Sequence, residues 1–279
     1  MPESPPRRRI PVFTSVSIFL RALWNDRGHF LGLVRWDFKE AYLGTYIGLA
    51  WSFLKPLLYL AALSSGLKYG LGMKSPVEGI GLNTWLIGGL LPWMYISESL
   101  STPIHSIVEH SYLVKKMKFN VSLIPLTKVV TALIIHVILV ILFIAYLVAN
   151  GKAPTWHWIQ LPYLMACSTL LLAAIGLLTS SIYVFTRDIG QILSLVTTLA
   201  IWLTPVFWPA EMLEVTARRL LTLNPFTYIV EGYRDALLHA KWVFDEPGLT
   251  LGFWIVTSLA MVSSMLVFRR LNNHFADVI

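Results

Sequence analysis

Residues Thr84–Val121 read TWLIGGLLPWMYISESLSTPIHSIVEHSYLVKKMKFNV, and whether this stretch crosses a bilayer decides the fold. A membrane-spanning helix needs about 20 mostly apolar residues, because 1.5 Å per residue must cover ~30 Å of hydrocarbon. Five other segments meet that plainly: Tyr46–Leu67, Val129–Val148, Ile159–Phe185, Ile189–Trp208 and Leu249–Phe268. Thr84–Glu109 is apolar only in its first half; the second carries Glu98, His105 and Glu109, followed by Lys115, Lys116 and Lys118. Lys and Arg collect on cytoplasmic flanks. If the segment crosses and both termini are cytoplasmic, 15 of the 22 Lys and Arg lie inside and 7 outside. If it does not, the three loop lysines face outward and every later span inverts. The charge bias therefore selects six spans.

Composition points the same way. Of 279 residues, 56% are hydrophobic and 13% charged, against ~25% charged in an ordinary soluble domain. Too few polar side chains remain to cover a water-exposed surface. The apolar content excludes disorder, and a single cysteine, Cys167, excludes an internal disulfide framework. The net charge of +7 is read as topology information and not as nucleic-acid binding. Arg7-Arg8-Arg9 precedes a short apolar stretch, Ile10–Leu20, but Arg21, Asn25, Asp26 and Arg27 follow it without a small-residue cleavage site. A basic cytoplasmic tail is expected instead. The fold class is all-α and polytopic: a tail with an interface helix over 1–45, a transmembrane domain over 46–271, and a cytoplasmic tail over 272–279. The spans fall near 46–67, 84–109, 122–148, 159–185, 189–208 and 249–268.

Two further elements flank the spans. Phe30, Leu33, Val34, Phe38 and Ala41 share one helical face of Phe30–Tyr42, while Arg35, Lys39 and Glu40 lie elsewhere on the wheel. This predicts an amphipathic helix in the cytoplasmic interface. On the outer side, Pro209–Pro247 holds two short helical patterns, the second opened by Asn224-Pro225 as N-cap and helix-starting proline. Each is too short to cross and apolar enough to dip into lipid, which predicts a re-entrant helical hairpin over 210–240. Within it Glu231 and Arg234 have the i, i+3 spacing of an ion pair, with Asp235 beside them. A structural clasp is expected, with substrate binding the alternative.

No catalytic motif is recognisable. There is no G-x-S-x-G, S-x-x-K or H-E-x-x-H; His105 and His110 miss the i, i+4 spacing of metal ligands, and Gly151-Lys152-Ala153 lacks the P-loop glycines. No metal site is expected, and ATP-driven work would need a nucleotide site on another subunit. Ionisable groups inside a span are costly and mark function. Glu98, Ser101, Thr102, His105 and Glu109 share one face of the second span, opposite Leu100, Ile104 and Ile107. That face reads as a passage wall or a partner-helix contact, or, for Glu109, as a helix end entering cytoplasmic water. Lys55 is expected to snorkel to the inner interface. Trp85, Trp93, Tyr95, Trp202, Phe207, Trp208, Phe226, Tyr228 and Tyr233 gather near the outward end. Such rings are either interfacial anchors or stacking surfaces along which the apolar faces of a glycan could slide.

Several stretches carry a family resemblance. RWDFKEAYLGTYIGLAWSFLKP (Arg35–Pro56) resembles the interface helix and first span of type-2 ABC exporter permeases. LLPWMYISESLS (Leu90–Ser101), LVKKMKFNVSLIPL (Leu113–Leu126), FTRDIGQIL (Phe185–Leu193), WLTPVFWP (Trp202–Pro209) and LNPFTYIVEGYRDALL (Leu223–Leu238) are similar to the polysaccharide-exporting branch, in order and spacing. The resemblance implies a half-transporter that pairs with a second copy of itself and with two ATPase subunits, which bind the ATP and Mg; this chain would hold no cofactor. It implies ATPase contacts at Arg35, Lys39 and Glu40 of the interface helix, at Tyr112, Lys115, Lys116, Lys118 and Phe119, and at the Arg187-Asp188 turn. It implies a hairpin near the exit, and a lipid-linked glycan cargo crossing the bacterial inner membrane: O-antigen first, teichoic acid or capsule next. A drug or small-amphiphile exporter on the same fold is the alternative, and an intramembrane enzyme acting on lipid-linked sugars a more distant one.

Overall fold

The computed structural model describes residues 27–43, 48–70, 72–112 and 120–278. The tail arginines 7–9, the expected start of the first span at Tyr46, and Lys115, Lys116, Lys118 and Phe119 lie outside the described residues. Among the described residues eleven α-helices follow one another: α1 (Arg27–Leu43), α2 (Trp51–Ser65), α3 (Leu82–Ser101), α4 (Ser106–Glu109), α5 (Leu123–Ala149), α6 (Leu161–Tyr183), α7 (Asp188–Leu203), α8 (Val215–Leu220), α9 (Pro225–Arg234), α10 (Pro247–Leu271) and α11 (Phe275–Val278). The described residues contain no strand. Three helical stretches are long and apolar enough to cross a membrane: Leu123–Ala149, Trp156–Tyr183 and Pro247–His274. The helix α7 is apolar but shorter.

The second expected span is not one helix. α3 ends at Ser101, a 3-10 turn runs Pro103–His105, and α4 resumes for four residues. Pro103 has no N–H to give the carbonyl of Ser99, so the regular ladder stops there. The C-terminal segment also differs from a plain tail. Phe275 of α11 is buried against Ile107 and Val184 and packs its ring on Phe185 and Phe268, folding this segment back onto the C-terminal ends of α6 and α10.

The core lies among α3, α5, α6, α9 and α10. α6 packs along α10, and α3 against α5 and α9; Trp85, Leu86, Ile96, Leu164, Leu171 and Ile229 form its centre. Lipid tails are as apolar as leucine, so such helices associate through close packing and not through exclusion of water. Small residues supply the close approaches. A Cβ on Gly252 would overlap the carbonyl oxygen of Thr222, which lets the turn Leu221–Leu223 rest directly on α10. Several buried hydroxyls are satisfied locally: Thr127, Ser168 and Thr179 each donate to the carbonyl four residues back. α2 and α7 sit at the margins. α7 buries only Ala200 and presents Ile192, Leu195, Val196 and Leu199 outward.

Replacing Gly252 by Ala should force α10 off the Thr222 turn and destabilise the protein by about 1–3 kcal/mol, the usual cost of overpacking. Gly32→Ala, where a Cβ would meet nothing within 4 Å, should not. Thermal unfolding of the two variants in detergent checks the contrast.

Candidate functional site

Three groups of polar residues are built into this bundle at different heights. The lowest joins α1 to the base of α5. Val34 is buried and Phe30, Leu33 and Phe38 are half-buried, as the amphipathic pattern requires, although Ala41 is exposed. The same face carries Asp37, only 3% exposed. Its carboxylate accepts from Lys128 Nζ at 2.6 Å, and Lys128 also lies 3.7 Å from Glu109 at the end of α4. Trp36 adds an edge contact to His110, with centroids 5.6 Å apart. α1 is thus tied to α5 directly and to the α4 segment through Lys128 and Trp36. Neither Asp37 nor Lys128 stood out in the sequence; the signal was a carboxylate on an otherwise apolar face. Arg35, Lys39, Glu40, Tyr112, Arg187 and Asp188 are all exposed.

The middle group surrounds α3. Its expected polar face reduces to fewer residues than the wheel suggested. Ser101 and Thr102 turn their hydroxyls back to their own helix, at 2.9 Å from the carbonyls of Ser97 and Glu98. His105 meets the edge of Tyr183, centroids 4.6 Å apart. Glu98 remains open, on a cavity it shares with Lys55. On the opposite side His136, 2% exposed within α5, stacks on Tyr95 and bonds Tyr233 of α9, Nε2 to Oη 2.7 Å. His136 was not singled out, although a histidine in the middle of an apolar span is a signal in itself.

Most of the aromatic cluster lies inside the bundle. Trp85, Trp93, Tyr95, Phe207, Tyr228 and Tyr233 are buried inside this one chain. Tyr95 bonds Thr169 at 2.9 Å and Tyr228 bonds Tyr163 at 3.0 Å. Their rings are packing units, because each hydroxyl finds its partner on a neighbouring helix. Phe226 and Trp208 are half-buried, and Trp202 is 63% exposed, receiving the indole N–H of Trp208 on its carbonyl. Of the nine, Trp202 alone offers an open face.

The third group is centred on Arg234. Its guanidinium, 1% exposed, donates to Glu231 at 2.9 Å and to the carbonyls of Pro205 and Val206 just beyond α7. It lies 3.8 Å from the ring centroid of Trp85. Gly88 and Gly89 on α3 make the room, since a Cβ on Gly89 would collide with the guanidinium. The local sequence sets this up. Asn224 caps α9 by accepting from the N–H of Phe226 at 3.0 Å and donates to Thr204 at 2.9 Å, so Arg234 arrives in register with the freed carbonyls. Asp235 does not join this clasp; it bonds His239 at 3.0 Å. Above Arg234 opens a vestibule of about 590 Å³ edged by Glu78, Glu211, Glu231, Asp235, Lys152 and Lys241. Lys152 donates to the carbonyl of Leu238 at 2.6 Å, and burial holds its ammonium below the usual lysine pKa. Gln160 bridges the same rim, donating to Lys241 O and accepting from Val243 N–H.

Helical and without strands among its described residues, and with three apolar helices of membrane length there, the chain is an integral membrane protein. It belongs to the ABC-2 type transporter family, whose sequence profile matches residues 29–238. It is similar to the O-antigen export system permease protein RfbA of Myxococcus xanthus, 28% identical over 262 residues that cover 93% of this chain and 98% of that protein. A protein of the same name from Klebsiella pneumoniae is 22% identical over 244 residues, 87% of this chain and 92% of its own length.

Removing one partner of a buried ion pair leaves the other charge uncompensated, at about 3–5 kcal/mol. Arg234→Leu should therefore cost about that much, with Glu231 and two carbonyls left unpaired. Arg234→Lys should recover only part of it, because an ammonium cannot reproduce the forked contacts or the stacking. Asp235→Asn should cost far less. Chemical unfolding in detergent, followed by tryptophan fluorescence, measures all three.

Proposed function

We propose that the chain is the permease half of an exporter that moves a lipid-linked polysaccharide across the bacterial inner membrane, with O-antigen the preferred cargo and teichoic acid or capsule next. The single observation that carries this reading is that the likeness to O-antigen export permeases runs through 98% of the length of the Myxococcus protein and is not confined to a shared core. In this reading the chain crosses six times with both ends cytoplasmic, and residues 210–240 form a re-entrant hairpin on the outer side. Two copies pair, and two ATPase subunits supply the nucleotide chemistry with ATP and Mg. The outward apolar faces of α2 and α7, which lie at the margins of the core, are the natural seats for a second copy.

The route for force follows from the contacts. ATPase closure would press on α1, on the loop holding Lys115, Lys116, Lys118 and Phe119, and on the Arg187-Asp188 turn. The Asp37–Lys128 pair would pass displacement of α1 to α5. α5 is a 27-residue helix, about 40 Å long at 1.5 Å per residue, and it carries His136 to Tyr233 of α9. Motion at the cytoplasmic seam would then reach the helix that holds Arg234. Trp202 and the vestibule are the surfaces offered to a sugar chain.

Reconstitution of the chain with its ATPase partner in vesicles tests this. ATP-dependent appearance of lipid-linked glycan in the opposite leaflet is the expected outcome. Absence of glycan movement, with ATP-driven movement of a small amphiphile instead, would overturn the cargo. Reversing Lys115, Lys116 and Lys118 to Glu should reduce both ATPase docking and glycan movement, and unchanged docking would remove the loop from the drive.

A further inference from the structure

Two cavities on the flank formed by α2, α3 and α5 share Pro56, Met94 and Leu139 as walls. The first, about 470 Å³, is edged by Lys55, Glu98, Tyr95 and His136. The second, about 420 Å³, is edged by Leu57, Leu60, Ile87, Leu90, Leu142 and Phe143. The helices order them. Along α5 the polar cavity takes Ala132 to Leu139 and the apolar one Leu139 to Tyr146; along α3 the polar cavity takes Glu98 to Met94 and the apolar one Met94 to Asn83. Together they make one groove with a polar head and an apolar tail. From Ala132 to Tyr146 it runs about 21 Å at 1.5 Å per residue, the depth of one leaflet with its headgroup layer, about 20–22 Å. Trp51 and Lys55, in the first turns of α2, put the polar head at the inner face.

The charges at that head are unusual. Lys55 and Glu98 border the same space and feel each other's charge across it, yet no contact-distance ion pair among the described residues includes either side chain. His136, on the same wall, has Nε2 engaged by Tyr233 but Nδ1 buried without a partner. Charges in a low-dielectric site need opposite charges within reach. A purely anionic headgroup would satisfy Lys55 and oppose Glu98, and a polyprenyl pyrophosphate would do so more strongly. A headgroup bearing both a phosphate and a primary ammonium answers both.

We infer that this groove seats one inner-leaflet phospholipid with a phosphoethanolamine-type zwitterionic headgroup, its phosphate on Lys55, its ammonium on Glu98, and one acyl chain along Leu57, Leu90 and Leu142. The site is separate from the vestibule and from Trp202. It depends on the six-span orientation proposed above but not on the cargo.

The test uses the full complex with its ATPase partner in nanodiscs, labelled with a phosphatidylethanolamine carrying a photoreactive acyl chain. Labels are expected on peptides of α2, α3 and α5 that contain Leu57, Leu90 and Leu142. Unlabelled phosphatidylethanolamine should compete, and phosphatidylglycerol should not. Lys55→Met should weaken labelling roughly tenfold, the worth of one charge-assisted contact. Glu98→Gln should keep the label but lose the preference over phosphatidylglycerol. Labels spread evenly over the outward faces of α7 and α10 would overturn the proposal, as would equal competition by phosphatidylglycerol in the unsubstituted complex. Displacement by a polyprenyl pyrophosphate at equal concentration would hand the groove to cargo and also overturn it. The wild-type labelling pattern stands without any variant, and because labelling needs no transport, a failed export assay leaves its outcome legible.

Discussion

A guanidinium sealed inside a helical bundle needs partners for its charge, and Arg234 draws them from three parts of the chain, while its Nε has no hydrogen-bond partner among the described residues. Trp85 of α3 lies beneath it, Glu231 of its own helix pairs with it, and the carbonyls of Pro205 and Val206 accept its outer N–H groups. Isolated charges in hydrocarbon cost several kcal/mol even after relaxation. The arrangement is therefore all-or-none: moving α9 away from α3 would strand the cation, the carboxylate and two carbonyls together. Gly88 and Gly89, the proline that ends α7's hydrogen-bond ladder, and the Asn224 cap are all arranged around this one group.

The other polar contacts extend that anchor downward. α9 is joined to α5 by the His136–Tyr233 bond, and α5 is joined to α1 by Asp37 and Lys128. Between these ties the helices are held by apolar packing, which resists compression but allows sliding. Rigid nodes near the start of α5 and at its middle, with apolar contacts between, suit a helix that transmits displacement better than one that absorbs it. In lipid this division is natural, since hydrogen bonds and close approaches carry the specificity that hydrophobic exclusion supplies in water.

Much of this was legible in the chain. Hydropathy located the long apolar helices, Asn224-Pro225 announced the start of α9, and the i, i+3 spacing gave the Glu231–Arg234 pair. The failures have physical causes. A helical wheel shows which residues share a face but not whether a hydroxyl returns to its own backbone, as those of Ser101 and Thr102 do. Aromatics near an outer boundary look alike whether they pack or line a path; burial alone separates Tyr228 and Tyr233 from Trp202. Asp37, Lys128 and His136 are single polar residues in apolar runs, and the partners that explain them lie 91 and 97 positions away in sequence. Phe275 appeared to be tail because nothing local says what covers it.

The threading of the chain underlies every function argued above, and the composition makes it directly measurable. Its only native cysteine, Cys167, is buried, so introduced cysteines report without background. Cysteines placed at Tyr112 and Asn273 should react with an impermeant maleimide only from the cytoplasmic side, and cysteines at Lys74 and Trp242 only from the outside. Reaction of the Tyr112 variant from the outside would invert α5 and all that follows, and would contradict the account at its root.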